Sequence, residues 1–388
     1  MMRLFVCCLF LIFSCNNTIN LNSDGWFNSD NDVFILDKKN KPYILNEALV
    51  IPENKTFYVE NGVHLIFKKN GKIVNKGVLI FGEKNSVDSL YSFSLKESGL
   101  DSVFYYNVEV SAATEAFIYS KKNSLSSVFN INNTFLKNIN FSCLSKNKIN
   151  INNSIFNNSV LNTENSNTNI YSSYFKKVTI NKKKSNVVLN NNVFNELKNP
   201  IYIDSSSSIV NNCLFINSIK TIVFSNGFNN NILNNVFYKN NTAINIINNG
   251  NGYYKFFNNI FKENNIVLNS LDSSSFYFMN NIFDENNTVL KYKLNKKSKK
   301  SIISKNNIFY NNKTNFKLKN IKISNSYCMS NMDSLIGYYN VFSDPLFYNS
   351  NNFNYTLKES SPALRSGINN LNLGANIDDI NIIKYLKY

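Results

Sequence analysis

Tryptophan occurs once in this 388-residue chain, histidine once (His64) and arginine twice (Arg3 and Arg365). A single histidine, with no second His or Cys near it, gives no metal-ligand cluster and no Cys–His or Ser–His constellation. Sequence-specific nucleic-acid recognition leans on arginine forks, so two arginines argue against a nucleic-acid partner despite a formal charge of +16. Six cysteines are present, but three lie within the first 15 residues. The remaining Cys143, Cys213 and Cys328 are odd in number and widely separated, which excludes a disulfide framework and a CxxC zinc site. Buried free thiols are expected. Only 12 Gly and 5 Pro punctuate the chain. After the leader, no segment approaches the about 18 apolar residues of a membrane-spanning helix.

What is abundant is Asn, Lys, Ile, Phe (32) and Tyr (22). With so little Arg, this bias reads as AT-rich coding. The lysine excess is a solvated surface that keeps many apolar strands soluble, with affinity for acidic glycans or lipid head groups left open.

Residues 1–15, MMRLFVCCLFLIFSC, place Arg3 ahead of an apolar stretch, Leu4–Phe13, too short for a mature span. The ending Ile12-Phe13-Ser14-Cys15, followed at once by Asn16-Asn17-Thr18, resembles a bacterial lipobox. That resemblance implies acylation of Cys15 and a membrane partner through the lipid. It also implies residence in the cell envelope, on the periplasmic or the surface side of an outer membrane. A plain secretory signal is the alternative.

Self-similarity dominates the middle of the chain. Asn-Asn doublets precede Phe in Asn132-Asn133-Thr134-Phe135, Asn152-Asn153-Ser154-Ile155-Phe156, Asn191-Asn192-Val193-Phe194, Asn211-Asn212-Cys213-Leu214-Phe215 and Asn234-Asn235-Val236-Phe237. Three copies then read Asn-Asn-Ile-Phe, ending at Phe261, Phe283 and Phe309, and Ser172-Ser173-Tyr174-Phe175 fills the gap. The Phe spacings are 21, 19, 19, 21, 22, 24, 22 and 26. Flanking segments alternate with the two-residue period of strands. At about 3.3 Å per residue, some twenty residues make one circuit of three short strands. A leucine-rich repeat lacks support without its Leu and helical return, and a propeller needs about twice the period. Coils stacked about 4.8 Å apart would place Phe above Phe in a continuous core. Corner amides would form a ladder through Asn133, Asn153, Asn192, Asn212, Asn235, Asn259, Asn281 and Asn307.

The N-terminal series IPENKTFYVENGVHLIFKKNGKIVNKGVLIFG resembles the opening coils of pectate-lyase-like β-helix proteins. The series Asp344-Pro345-Leu346-Phe347, Ser361-Pro362-Ala363-Leu364 and Leu373-Gly374-Ala375 resembles the closing segment of bacterial right-handed parallel β-helix proteins. The expected fold is therefore all-β: a single-stranded right-handed parallel β-helix over residues 44–342. A leader (1–15), a tether and N-terminal cover (16–43, including Trp26) and a C-terminal closing segment or cap (343–388) complete it. A short helix within Leu371–Leu386 is a further expectation.

Catalysis on glycans by this fold would need carboxylates that hold Ca²⁺ beside a Lys or Arg base, or a carboxylate pair. The repeats contain few acids: Glu164, Glu196, Asp204, Glu263, Asp272, Asp284, Glu285 and Asp333 between residues 130 and 340. Glu263 and Glu285 each stand two residues after a repeat Phe and should stack about 5 Å apart, one coil from the other. They are the catalytic candidates, set against neutralisation by Lys and water at a solvated turn. The Lys296-Lys297-Ser298-Lys299-Lys300 run enlarges one coil as a solvated loop. Arg365 should serve the closing motif, and Tyr253 and Tyr254 are open between a sugar-stacking platform and the core. No metal and no cofactor is indicated. The expected function is a non-catalytic envelope rod binding a polysaccharide or an envelope protein, with a polysaccharide lyase or glycoside hydrolase as the alternative.

Overall fold

In a computed structural model of the chain, residues 147–247, 252–270, 274–293, 302–319, 323–331, 335 and 337–381 are described, together with shorter segments between 19 and 143. Cys15, Trp26, Asn133, Asp272, Asp333 and the Lys296–Lys300 run lie outside the described residues, as do the side chains of His64 and Cys143.

The described strands form a parallel β-solenoid. One coil illustrates the unit. Ser208–Asn211 lies on a first face, Leu214–Ile216 on a short second face, and Lys220–Ser225 on a third. Each pairs with its counterpart one coil on: Ser208 with Asn230, Leu214 with Val236, Ile222 with Ile244. The first face runs as a fifteen-stranded parallel sheet. Among the described residues only Phe347–Asn349 and Asn354–Leu357, in the closing segment, pair antiparallel.

The corners explain how a chain so poor in glycine turns so often. Residues three before and two after each stacked Phe adopt the left-handed conformation, as at Asn191 (φ 57°) and Glu196 (φ 50°) around Phe194. A third corner does the same at Asn165, Lys184, Ser205 and Asn226. Asn visits this region at lower cost than other non-glycine residues and occupies more of these corners than any other residue type. The three-residue strand between two such corners must turn its central Phe inward.

The core follows from that register. Phe156, Phe175, Phe194, Phe215, Phe237, Phe261, Phe283 and Phe309 stack with centroids 4.7–5.1 Å apart. An aliphatic column, Leu161, Ile180, Ile201, Ile222, Ile244, Leu268 and Leu290, runs along the third face. Cys213 and Cys328 are buried free thiols, and burial pushes the Cys213 thiol up to about 12, far from a reactive thiolate.

Beside the Phe stack, two residues before each ring, stands a buried polar row: Ser154, Ser173, Asn192, Cys213, Asn235, Asn259, Asn281 and Asn307. Asn259 accepts at Oδ1 from the backbone N–H of Asn235 (2.9 Å) and from its Nδ2 (3.0 Å). Its own Nδ2 donates to Ile232 O (2.8 Å) and Asn281 Oδ1 (3.0 Å). Asn153 and Asn212 do not belong to this row. They sit one residue earlier, at left-handed corners, because Asn-Asn-Ser-Ile-Phe and Asn-Asn-Cys-Leu-Phe carry an extra residue before the ring. A second buried row, three residues after the ring, links Asn240, Asn264, Asn286 and Asn312 in the same way. Asn259→Ala takes the acceptor from the Asn235 N–H and Nδ2 and the donor from Ile232 O and Asn281 Oδ1, and should cost at least about 2 kcal/mol, whereas Asn153→Gly, at a corner glycine tolerates, should cost under about 1 kcal/mol. Thermal unfolding of the two variants checks this.

The closing segment runs back along the short face. Phe347, Phe353, Tyr355, Ala363, Leu373 and Ile380 pack on Leu214, Val236, Ile260, Ile282 and Ile308, the residues just before Phe215, Phe237, Phe261, Phe283 and Phe309, and on Met329, the register partner of Ile308. These strands are therefore apolar on both sides. Within Leu371–Leu386 the described helical structure is one 3₁₀ turn, Ile377–Asp379. Arg365 is exposed, and its backbone N–H donates to Asn372 Oδ1 (3.1 Å).

Candidate functional site

Residues just after each stacked Phe point out of the solenoid: Asn195, Ile216, Tyr238, Lys262, Asp284 and Tyr310. In an uncovered coil they would meet water. Here Phe347, Phe353 and Tyr355 cover part of this row, and the side chains of Lys262 and Asp284 are left 1% and 0% exposed. Lys262 and Asp284 are register partners on adjacent coils. Lys262 Nζ lies 3.0 Å from Asp284 Oδ2, 2.9 Å from Glu285 Oε2 and 3.7 Å from Glu263 Oε1. Tyr355 donates its hydroxyl to Asp284 Oδ2 at 2.8 Å.

The candidate carboxylates Glu263 and Glu285 thus sit on successive corners, and the group that joins them is the buried Lys262. Lys239 adds a contact to Glu263 at 3.6 Å and lies over the Tyr238 ring. Glu196, at the equivalent corner three coils before that of Glu263 (Asn217 and Lys239 hold the corners between them), takes Lys176 and Lys177 at 3.7 and 3.6 Å.

Electrostatics separates structural from catalytic use. Burial penalises the Lys262 ammonium, but Asp284 and Glu285 together outweigh it and hold the pKa above the ordinary lysine value. A general-base lysine must move the other way. Burial pushes the Asp284 carboxyl up, against the pull of Lys262 and the Tyr355 hydroxyl. Tyr355 is held well above the usual phenol value by burial and by the neighbouring carboxylates. Lys262, Asp284 and Tyr355 are buried and chemically suited to holding the closing segment in place, while Glu263 and Glu285 keep about a third of their side-chain surface exposed.

Its pH dependence has a definite sign. Lys262 and Tyr355 keep their protons in the fold at pH values where the unfolded chain releases them. Their contribution is complete below about pH 10 and is lost as pH rises beyond it. Asp284, also raised, acts oppositely and costs stability above the ordinary carboxylate range. Denaturant midpoints at pH 8 and pH 11 should show a steeper alkaline loss in the native chain than in Tyr355→Phe.

Two other surface features are open. On the first face Tyr253 is 38% and Phe257 39% exposed, while Tyr254 is fully buried in the core. Phe257 borders a cleft of about 570 Å³ between the coil corners at Asn258 and Asn280 and the closing-segment stretches Tyr355–Leu357 and Leu371–Asp379. The third face is basic toward its C-terminal coils, where exposed Lys291 and Lys317 are register partners and Lys293 is exposed beside them; the sequence from Asn286 to Met332 contains eleven Lys and no Asp or Glu. Among the described residues no group of His, Cys, Asp and Glu has the arrangement of a metal site, and no helix is long and apolar enough to cross a membrane.

Lys262, Asp284 and Tyr355 were not anticipated from sequence. The available signal was the change of the residue before each Phe to Leu214, Val236, Ile260, Ile282 and Ile308, which marks strands covered on both sides.

No family model and no curated relative matches the chain. Among solved structures it is similar to the periplasmic alginate epimerase AlgG, at 11% identity over 84% of this chain and 82% of that one, with a TM-score of 0.36. It is also similar to the Streptococcus pneumoniae surface protein and adhesin PfbA, at 13% identity over 78% and 91%, with a TM-score of 0.25. Both are right-handed β-helix proteins. The register of its own strands makes the chain a parallel β-helix repeat protein.

Proposed function

We propose that this chain is a non-catalytic rod of the cell envelope, anchored by lipid at Cys15, that binds a glycan or a partner protein on its exposed faces. One observation carries the reading: of the six described carboxylates between residues 130 and 340, all but Asp204, which takes Ser205 and Asn226, lie against lysines. Glu164 pairs with Lys183, Glu196 with Lys176 and Lys177, and Glu263, Asp284 and Glu285 with Lys262. The most buried of them lie beneath the closing segment, where no polymer could reach. The leader supports the envelope location, and the rod supplies long flat faces of the kind that stacked repeats offer to extended partners.

Calorimetric titration of the purified chain with neutral and acidic polysaccharides, with and without Ca²⁺, tests the proposal. Binding gives heat that ends at saturation. Heat that continues at constant rate after saturation means turnover, and would replace this reading with the lyase or hydrolase alternative.

A further inference from the structure

The cleft beside Phe257 is built from unlike parts that suit one kind of ligand. One wall is the Phe257 ring at the end of Tyr253–Phe257. A second is Asn280, a left-handed corner whose buried Oδ1 has no hydrogen-bond partner among the described residues. The third is the closing segment, which brings Asp378 and Asp379 to the rim, both exposed and with no ion pair among the described residues. The walls are fixed to one another. Asn258 Nδ2 donates to Asn376 O (3.1 Å), the Asn376 N–H donates to Asn258 Oδ1, and Asn376 Nδ2 holds Asp379 Oδ2 at 2.9 Å. A site whose walls are already ordered loses little entropy on binding.

The charged groups left to a ligand are two carboxylates, with the buried Asn280 Oδ1 a further acceptor, while exposed Asn372 and Thr356 add an amide and a hydroxyl donor. The apolar element is a ring face. A ligand that satisfies both must carry many donors and a flat C–H surface, and must not be an anion. Hydroxyls of an uncharged sugar donate to Asn280, Asp378 and Asp379, while its C–H face lies on Phe257. A uronate would set its carboxylate against Asp378 and Asp379 and offer an acceptor to an acceptor. The cleft volume, about 570 Å³, falls in the usual range for small-molecule sites. We infer that this cleft binds a short stretch of neutral glycan. The inference rests on the binding-rod reading above and names its ligand class, against the direction that the chain's net charge of +16 would suggest. Acidic polymers are drawn instead to the lysine-rich third face, by a screened attraction that does not depend on the cleft.

The test is calorimetry of the full purified chain with cellohexaose, maltohexaose and hexagalacturonate at physiological salt. At least one neutral hexasaccharide should bind, with hexagalacturonate about tenfold weaker or more. Phe257→Ala and Asn280→Gly, the latter chosen because glycine accepts the φ of 56°, should each weaken the neutral sugar by about tenfold without moving the melting temperature. Asp378→Asn with Asp379→Asn should narrow the gap between neutral and acidic probes. The inference is overturned if neither neutral sugar binds at millimolar concentration, if hexagalacturonate binds as tightly and is weakened by the same cleft variants, or if the neutral-sugar affinity ignores those variants. Glycan binding insensitive to those variants would sink this inference alone and leave the rod proposal standing. Cleavage of any probe would sink the rod proposal.

Discussion

Replacing Lys262 by Met should cost about 3–5 kcal/mol, a loss expected when one partner of a buried ion pair is removed. Asp284 is fully buried and its Oδ1 already lacks a hydrogen-bond partner among the described residues, so the variant leaves an uncompensated carboxylate beneath the closing segment. The damage should be local first. In a solenoid each coil depends on its neighbours, and the closing segment, held by the Tyr355–Asp284 bond and the apolar contacts around it, is the part that can leave. Hydrogen exchange should show residues 347–380 losing protection while the Phe stack keeps it. Lys262→Met combined with Asp284→Leu should recover most of the loss, because an apolar pair of similar volume often equals a buried ion pair. A double variant no better than Lys262→Met alone would show that the lysine stem, and not its charge, holds the segment.

Phe237→Ala should have an effect of similar size, about 3–5 kcal/mol, through a cavity in the middle of the ring stack. Phe237 is fully buried between Phe215 and Phe261, with centroids 4.7 and 4.9 Å away, and the parallel pairing above and below leaves little room for collapse. Ile155→Ala is the control: it lies on the same short face but points outward, 44% exposed, in a coil before the covered flank begins at Leu214. Its loss should stay below about 1 kcal/mol. Denaturant unfolding of both variants, read by far-UV circular dichroism, makes the comparison.

These two predictions divide what could be read in the sequence from what could not. The ring stack was legible because an inward position allows few residue types, so Phe returns at each coil whatever its neighbours do. The amide row was legible where the doublet and the ring keep fixed spacing, as at Asn192, Asn235, Asn259, Asn281 and Asn307. It slipped by one residue at Asn153 and Asn212, where counting back from the ring leads to Ser154 and Cys213 instead. The second row, Asn240, Asn264, Asn286 and Asn312, was overlooked although the doublets Asn240-Asn241, Asn264-Asn265 and Asn286-Asn287 announce it. The ion cluster was hidden for a different reason. Lys262 and Asp284 sit at outward strand positions, which pattern alone assigns to solvent, and their burial is imposed by Tyr355, 71 residues beyond Asp284. Glu263 and Glu285 did come out on neighbouring corners, yet the partner that decides their chemistry is the lysine between them. Periodicity reports the coil; it does not report what a later segment will cover.

The central claim is that the carboxylates of this solenoid serve its architecture and the chain binds without transforming what it binds. Mass spectrometry of the same polysaccharide panel after prolonged incubation with the purified chain, with and without Ca²⁺, tests it most directly. Unchanged chain lengths and no unsaturated or epimerised residues are the predicted result. Shortened or unsaturated products that disappear in Glu263→Gln or Glu285→Gln would contradict it and make those corners an active site.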